Sequence, residues 1–392
     1  MIEPENKKVV GHFIRGFLRP TETFIGNQIT SMRQYQPVVF CHHLIHGHSF
    51  QSIEATSVVD TLSPAERVLE KSYYKFFRGL TQPAAIRLAE AVQQSHAQIL
   101  HFHYLVDARF FLPVFRRLKL PSVVSGYGWD VSSFPRAKFG FGRHYVQPIF
   151  REMDLFLAMS DDMKKDMIAL GCPEGKIRVH YYGTDVQRFA YPARKYNEKS
   201  TLTILFCGRL IPKKSPQSIL LALRYLEEQR QSLPDWRLIF VGEGPLRGEL
   251  EHTVQEYGWK SKVQFKGHIS HDSQALLDEY RSADIYILPS MTAKGEKEGI
   301  PGTLVEAMAS GLPCISTYHA GIPSVMHDDQ QGKLLSEGDV EALAQTLRGL
   351  MQSHESRSRL GKSAALYAFN NLDLKSKTKE LEEIYDSFLI GH

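Results

Sequence analysis

DIYILPSMTAKGEKEGIPGTLVEAMASGLPCISTY, Asp284–Tyr318, runs through an apolar stretch, a polar loop, a helix-like stretch and a second apolar stretch. DIYILPS reads as a buried strand, and so does PCISTY (Pro313–Tyr318). Between them a helix is expected to begin near Gly302–Thr303 and to end at Gly311, just before Pro313. Strand, helix, strand is the repeating unit of a parallel sheet covered on both faces. A helix start also carries free backbone N–H groups and the positive end of its dipole, so it suits an anion. Two acids flank this start, Glu298 just before it and Glu306 about one turn into the helix.

The same alternation runs along the whole chain. In the first half VVGHFI (Val9–Ile14), PVVFCHHL (Pro37–Leu44), QILHFHYL (Gln98–Leu105), PSVVSGYG (Pro121–Gly128), DLFLAMS (Asp154–Ser160) and KIRVHYYG (Lys176–Gly183) read as strands. Helical stretches lie between them. PAAIRLAEAVQQSH (Pro83–His96) has proline at its start, and SDDMKKDMIALG (Ser160–Gly171) opens on a capping serine and stops at glycine. The second half supplies LTILFCGRL (Leu202–Leu210), WRLIFVGEG (Trp236–Gly244) and KVQFKGHI (Lys262–Ile269) before DIYILPS and PCISTY. The polar stretch YPARKYNEKS (Tyr191–Ser200) reads as a linker. The expected fold is α/β, with two doubly wound Rossmann-like domains, 1–190 and 191–373, facing across a cleft. A C-terminal helix, 374–392, closes the chain, its face marked by Leu381, Ile384, Tyr385 and Phe388. In open parallel sheets ligands bind beyond the carboxyl ends of the strands, so the cleft is the expected site.

Composition narrows the classes. The chain has 392 residues, 43% hydrophobic and 23% charged, an ordinary globular balance for two domains. A net charge of +4 falls short of a nucleic-acid signature and leaves room for a local anionic ligand or membrane surface. The four cysteines, Cys41, Cys172, Cys207 and Cys314, form no C-x-x-C pair and are expected buried and reduced, as in the cytoplasm. No run reaches the ~20 apolar residues of a membrane span, and the first residues lack the apolar core of a signal peptide.

The strand ends carry the chemistry. FCGRLIPKKSP (Phe206–Pro216) leaves a strand with Gly208, Arg209 and Lys214. Glycine lets a ligand near the backbone, and the two cations can neutralise a diphosphate, the alternative being a solvated basic turn. VGEGPLRGEL (Val241–Leu250) resembles a dinucleotide turn, but its glycines follow G-x-G-x-x-x-G and the next strand ends near Lys266 rather than an acid, which speaks against a dehydrogenase. Around the helix start, Gly302 leaves phosphate an open approach and Thr303 offers a hydroxyl. Glu298 and Glu306 sit too close to bound phosphate to hold it, and suit the hydroxyls of a transferred sugar and of a ribose instead. The pattern fits a nucleotide sugar. A surface acid at Glu298 and a dipole-complementing Glu306 are the plainer reading of the same residues.

These motifs carry a family resemblance. Glu298-x7-Glu306 followed by AMASGLPCISTYHAGIPSVM (Ala307–Met326), with GRLIPKKSP, VGEGPLRGEL and TETFIGNQI (Thr21–Ile29), resembles glycosyltransferase family 4. Within it the segment is similar to bacterial exopolysaccharide enzymes of the colanic-acid and amylovoran type. The resemblance implies a GT-B fold and retaining, metal-independent transfer from a UDP- or GDP-sugar to a glycan or lipid-linked acceptor, with no cofactor and no nucleic acid. It implies an acceptor-binding first domain, a donor-binding second domain, and a last helix that returns to the first. Arg209 and Lys214 would bind the diphosphate, and Glu298 the donor sugar. Backbone at Gly299, Ile300, Pro301, Gly302, Thr303 and Leu304 would hold sugar and phosphate, and Glu306 the ribose. Gly208 would lie at the diphosphate and Gly267, His268 and Ile269 beside the base.

One departure stands out. Where many members carry histidine before a G-x-D step, this chain has Tyr127, followed by Asp130, in VSGYGWDVSSFPR (Val124–Arg136). Tyr127 is read as binding and orienting the donor sugar, and Asp130 as touching the acceptor or supporting the turn; a packed Tyr127 with a capping Asp130 is the alternative. CHHLIHGH (Cys41–His48) looks metal-like, but His42 and His43 point to opposite faces of a strand and no carboxylate joins them at ligand spacing. His101 and His103 share a face and either line the acceptor site or pack. YYKFFRGL (Tyr73–Leu80) and FPRAKFGFGRHY (Phe134–Tyr145) mix basic and aromatic residues, which suits an anionic inner-membrane surface as well as ordinary surface and core. A nucleotide-sugar epimerase and a catalytically inactive carbohydrate-binding homologue remain the competing functions.

Overall fold

The computed structural model describes residues 7–17, 23–44, 53–229 and 233–389. The start of TETFIGNQI and the His46 and His48 end of CHHLIHGH lie outside them. The chain divides into two compact units, Met1–Gly183 with Leu374–His392, and Thr184–Asp373.

The first unit holds seven strands: β1 (Lys8–Phe17), β2 (Tyr35–Leu44), β3 (Ala55–Ser57), β4 (Ile99–His103), β5 (Ser122–Ser125), β6 (Leu155–Ala158) and β7 (Ile177–Val179). All pair in parallel, in the order β3-β2-β1-β4-β5-β6-β7. The strand direction of travel reverses between β1 and β4. Register sets Phe13 beside Phe40 and Phe102, which stack in the middle of the sheet. The sequence reading reached six of these strands; β3, three residues of Ala-Thr-Ser, is too short and polar to announce itself. The helix expected after Ser160 runs Asp161–Ala169, with the serine hydroxyl accepting the Met163 N–H.

The C-terminal helix, Leu374–Leu389, belongs to this first unit. Its Leu381 and Tyr385 are buried against Val10, Ile99, Val123 and Leu155, so the apolar rhythm of the sequence covers one face of the sheet. Polar contacts fix its position. One oxygen of the buried Glu382 accepts the N–H groups of Arg33, Gln34 and Tyr35 at 2.8, 2.8 and 3.1 Å, and Asp386 accepts from Lys8 and the Tyr35 hydroxyl at 2.6 and 2.8 Å.

The second unit repeats the architecture with β8 (Thr201–Cys207), β9 (Asp235–Val241), β10 (Val263–Gly267), β11 (Ile285–Ile287), β12 (Cys314–Thr317) and β13 (Gly332–Leu335). The order is β10-β9-β8-β11-β12-β13, again all parallel. This is the doubly wound pattern, and its crossover lies between β8 and β11, where ligands bind in such sheets. The edge strand β13 was not read from sequence, since Gly-Lys-Leu-Leu lacks a strand's pattern. Tyr191–Ser200 is held within this unit rather than hanging free. The Arg194 guanidinium donates to the carbonyls of Ser310, Ala283 and Tyr280 at 2.6–2.7 Å, and Tyr196 donates to Gly311 at 2.6 Å. Arginine's five fixed donors can clamp several strand and helix ends at once.

Glu382→Ala would leave three backbone N–H groups at the entry to β2 without their carboxylate. We expect a loss of about 1–3 kcal/mol, since stranded buried donors carry their desolvation cost. Urea unfolding measures it. Truncation before Lys375 should cost more, because it also uncovers the apolar face under Leu381 and Tyr385.

Candidate functional site

The second unit's crossover collects the residues singled out from sequence. Gly208, just after β8, has φ +155, and a Cβ there would meet nothing nearer than 3.7 Å. The neighbouring glycines do different work. A Cβ on Gly242 would lie 2.0 Å from the Gly208 carbonyl oxygen, and one on Gly244 2.3 Å from that of Leu210. The G-x-G step after β9 therefore serves close packing of two loops, tied by Leu210 N–H to Glu243 O at 2.9 Å. Gly267, with φ +69, joins the same arrangement through its carbonyl, which accepts the Gly242 N–H at 2.8 Å. His268 beside it is exposed and Ile269 half-buried.

Arg209 is exposed, whereas Lys213 and Lys214 are buried in a short turn. The lysines face the loop after β11. Lys214 Nζ lies 3.0 Å from Glu298 Oε1, and Lys213 Nζ lies 3.8 Å from Oε2 and 2.6 Å from Glu296. Burial alone would raise the Glu298 pKa, but Lys214 and then Lys213 outweigh it and hold the carboxyl below its ordinary value. Lys214 meets Oε1 at ion-pair distance, and its charge favours the ionised form more than that of Lys213. The carboxylate is kept ionised with acceptor capacity in hand.

A relay not anticipated from sequence fixes the Glu298 backbone. Its N–H donates to His319 Nε2 at 3.0 Å, so the imidazole proton sits on Nδ1, which meets Glu337 at 2.6 Å. Glu337 also accepts the Thr292 N–H at 2.8 Å, closing both ends of the loop. Gly321 lets this happen, since a Cβ there would lie 2.4 Å from the Gly299 carbonyl oxygen. HAGIP carried this signal, but only the fold shows that histidine and glycine act on the loop twenty residues upstream.

The helix after the loop spans Gly302–Ala309 and stops before Gly311, whose φ is +77. Its cap is Pro301, and no side chain bonds its first N–H groups. Ile300 and Leu304 are buried in the core, so these positions offer backbone rather than side chain. Thr303 Oγ1 accepts from Tyr286 at 2.9 Å, which leaves its own proton to donate. Glu306 is turned inward: Oε1 meets His271 Nε2 at 3.1 Å and Oε2 accepts from Tyr280 at 2.7 Å. The hydrogen bond to Glu306 raises the His271 pKa against the opposing effect of burial. Glu306 thus reaches any ligand together with His271, which the sequence reading passed over.

Tyr127 and Asp130 lie in the first unit, on the turn after β5. Asp130 is fully buried and accepts the N–H groups of Leu105, Tyr127 and Gly128 at 2.8, 3.0 and 3.1 Å. Burial pushes its pKa up to about 6 against the pull of those donors. Gly128, at φ +128, makes the turn, whereas Gly126 supplies space beside Met167 and Val131. Half-buried Tyr127 packs among Phe24, Tyr104 and Tyr182, its hydroxyl 2.6 Å from His103 Nδ1. His103 Nε2 meets His12 Nδ1 at 3.0 Å, and His101 bonds Tyr385 and Ser125 at 2.5 and 2.8 Å. These three imidazoles come within ligand reach of one another. Five of their six ring nitrogens are committed to hydrogen bonds, and burial lowers all three pKa values, that of His12 to about 3. His12 and His103 form a neutral hydrogen-bonded chain that ends on Tyr127, and His101 stacks beside them, tied instead to Tyr385 and Ser125.

Comparison with known proteins gives the class. Residues 31–188 match the model described as glycosyltransferase family 4, and residues 188–366 that described as glycosyl transferases group 1. Both units thus carry glycosyltransferase matches, and the fold is the GT-B pair of Rossmann-like domains. Among its relatives, the putative colanic acid biosynthesis glycosyltransferase WcaL of Escherichia coli K12 is 38% identical over 228 residues, 58% of this chain and 54% of that protein. The amylovoran biosynthesis glycosyltransferase AmsK of Erwinia amylovora is 36% identical over 271 residues, 65% of this chain and 61% of its own. The chain spans about half the length of the curated relatives it matches. Its fold is shared with HepE of Anabaena, solved in complex with UDP, at a TM-score of 0.75 and 16% identity over 97% of this chain and 100% of that one.

Two pH dependences follow from the site. The Glu298 pairing, with its folded pKa depressed, should stabilise fully above the ordinary value of 4.5 and fade as pH falls through the lowered one. The His271–Glu306 pairing has the opposite sign: present below 6.5 and lost as pH rises through the raised value. NMR titration of His271 should give a midpoint above 6.5, and in Glu306→Gln a midpoint moved down, because burial then meets only the weaker pull of Asp272. An unmoved midpoint would exclude the coupling.

Proposed function

We propose that the protein is a retaining, metal-independent hexosyltransferase, moving a sugar from a UDP- or GDP-sugar to a glycan or lipid-linked acceptor in surface polysaccharide synthesis. The observation that carries this reading is Glu298, held ionised between Lys213 and Lys214 at the β8–β11 crossover beside an uncapped helix start. Departure of a nucleoside diphosphate builds negative charge, which Arg209, the lysines and the helix N–H groups are suited to stabilise. Glu298 accepts hydroxyls of the sugar being transferred, Glu306 with His271 those of the ribose, and Gly267, His268 and Ile269 flank the base. Relatives named for colanic acid and amylovoran synthesis support the polysaccharide assignment, and a neighbour solved with UDP supports the donor class. The retaining course rests on the family resemblance.

In this reading the first unit handles the acceptor, Tyr127 orients the sugar and Asp130 holds the turn that presents Tyr127. The enzyme works peripherally at the inner membrane face, where lipid-linked acceptors reside. Among the described residues no helix is long and apolar enough to cross a membrane.

A thermal-shift panel of UDP-, GDP-, ADP- and TDP-sugars identifies the donor, because a ligand binding only the folded state raises the melting temperature. Glu298→Gln should then lower kcat by roughly 100-fold, the scale of one lost transition-state contact. Glu306→Gln should mainly raise the donor KM, by roughly tenfold for about 1.4 kcal/mol. Equal, small effects would sink the site assignment. Tyr127→Ala should lose turnover yet still bind the nucleoside diphosphate; a variant that unfolds or works normally would remove Tyr127 from the site. An isomerised donor sugar formed without acceptor would assign an epimerase instead.

A further inference from the structure

The helix Pro64–Phe77 in the first unit is packed inside out. Its single buried residue is Glu70. That carboxylate accepts from the Thr81 N–H at 2.9 Å and the Thr81 hydroxyl at 2.5 Å, and meets His42 Nε2 at 3.1 Å. One turn earlier, Glu66 closes a capping box with Ser63 and binds Arg87 at 3.1 Å. One turn later, the Tyr74 ring stacks on His42. Residues 66, 70 and 74 are spaced by four, so the inward face of this helix is its acidic and polar one. The apolar residues Val68, Leu69 and Phe76 look outward, 68%, 55% and 75% exposed, and Phe77, two turns on from Glu70, is exposed at the helix end. Phe141 is 74% exposed on the helix Ala137–Glu152, and one turn later the Tyr145 hydroxyl donates to Arg78 O at 3.0 Å, just past the end of Pro64–Phe77.

A helix in water normally hides its apolar stripe, and a contiguous exposed patch marks a docking surface. The charges say what docks. Glu70 is buried and Glu66 is paired with Ser63 and Arg87, whereas Arg67, Lys71, Lys75 and the adjoining Arg78 are exposed. Lys71 and Lys75 flank the Val68–Phe76 stripe at helical spacing, and Lys75 Nζ lies 5.9 Å from the Phe76 ring. Long basic side chains beside aromatic rings can lay their stems on an apolar surface and set their charges among anionic headgroups.

We propose that the outward face of Pro64–Phe77, centred on Val68, Leu69 and Phe76 and flanked by Lys71 and Lys75, docks on an anionic lipid bilayer. This deepens the peripheral-membrane reading above and rests on it. It gives the polar inner face a purpose: Glu66, Glu70 and Tyr74 hold the helix to the unit without using the apolar residues that must stay free for lipid.

The test is co-sedimentation of the full chain with vesicles of phosphatidylcholine alone or with roughly 30% phosphatidylglycerol, compositions that separate apolar from electrostatic attraction. Wild type should bind the anionic vesicles, and more weakly as salt is raised. Leu69→Ser with Phe76→Ser, and separately Lys71→Glu with Lys75→Glu, should each reduce binding by roughly tenfold or more. Both double variants should keep the melting temperature and the stabilisation by nucleotide sugar, because the altered side chains are exposed and lie in the first unit. Four results would overturn the proposal: no vesicle binding by wild type, equal binding to neutral vesicles, variants that bind as wild type, or a wild-type dimer that the variants split. The third would keep the protein at the membrane and move the contact elsewhere. Loss of sugar transfer with vesicle binding intact would count against the catalytic reading alone.

Discussion

A carboxylate taken out of water beside two lysines is the constraint around which the second unit is arranged. Removing such charges from solvent is expensive, and their attraction offsets the cost only when geometry and hydrogen bonds are good. Here the geometry is imposed from outside the trio. His319 holds the Glu298 backbone, Glu337 holds His319, and the turn after β8 buries Lys213 and Lys214 on the facing side. The cluster is ionised, and the two carboxylate oxygens can accept more hydrogen bonds than the lysines supply, which suits a hydroxyl-bearing ligand.

The sheet order explains why these residues meet. Between β8 and β11 the chain changes its direction of travel across the sheet, so the two following loops diverge and leave a crevice. Glycines 242, 244 and 321 bring the surrounding loops to within van der Waals range of one another. They act as spacing elements for the protein's own backbone, whereas Gly208 and Gly302 leave space open. Identical residues in similar motifs therefore do opposite things, depending on what stands above the missing Cβ.

The first unit has the same topology and uses its polar residues differently. Three neutral imidazoles lie on the central strands, and a buried aspartate gathers three backbone N–H groups at the turn after β5. Such an arrangement gives rigidity to whatever the turn presents. The C-terminal helix completes this unit through Leu381, Tyr385 and Glu382, so residues far apart in sequence close one hydrophobic layer.

By itself the sequence determined the class of fold. Short apolar runs alternating with capped, amphipathic helices leave a parallel sheet as the arrangement that buries both. It also determined the helix start at Gly302–Thr303 and its stop before Gly311, because those depend on local spacing. Strands β3 and β13 escaped, being too short for a pattern of period two, and Tyr191–Ser200 looked like a linker because its anchoring arginine has its partners about 90 to 115 residues away. Only the tertiary structure decided that His271 shares Glu306, that His319 and Glu337 fix Glu298, and that Pro64–Phe77 buries Glu70 rather than its apolar residues. The physical reason is common to all of these. Local periodicity records which residues share a face, but the face's partner, and whether a charge meets water or an opposite charge, is set by chain segments that only folding brings together.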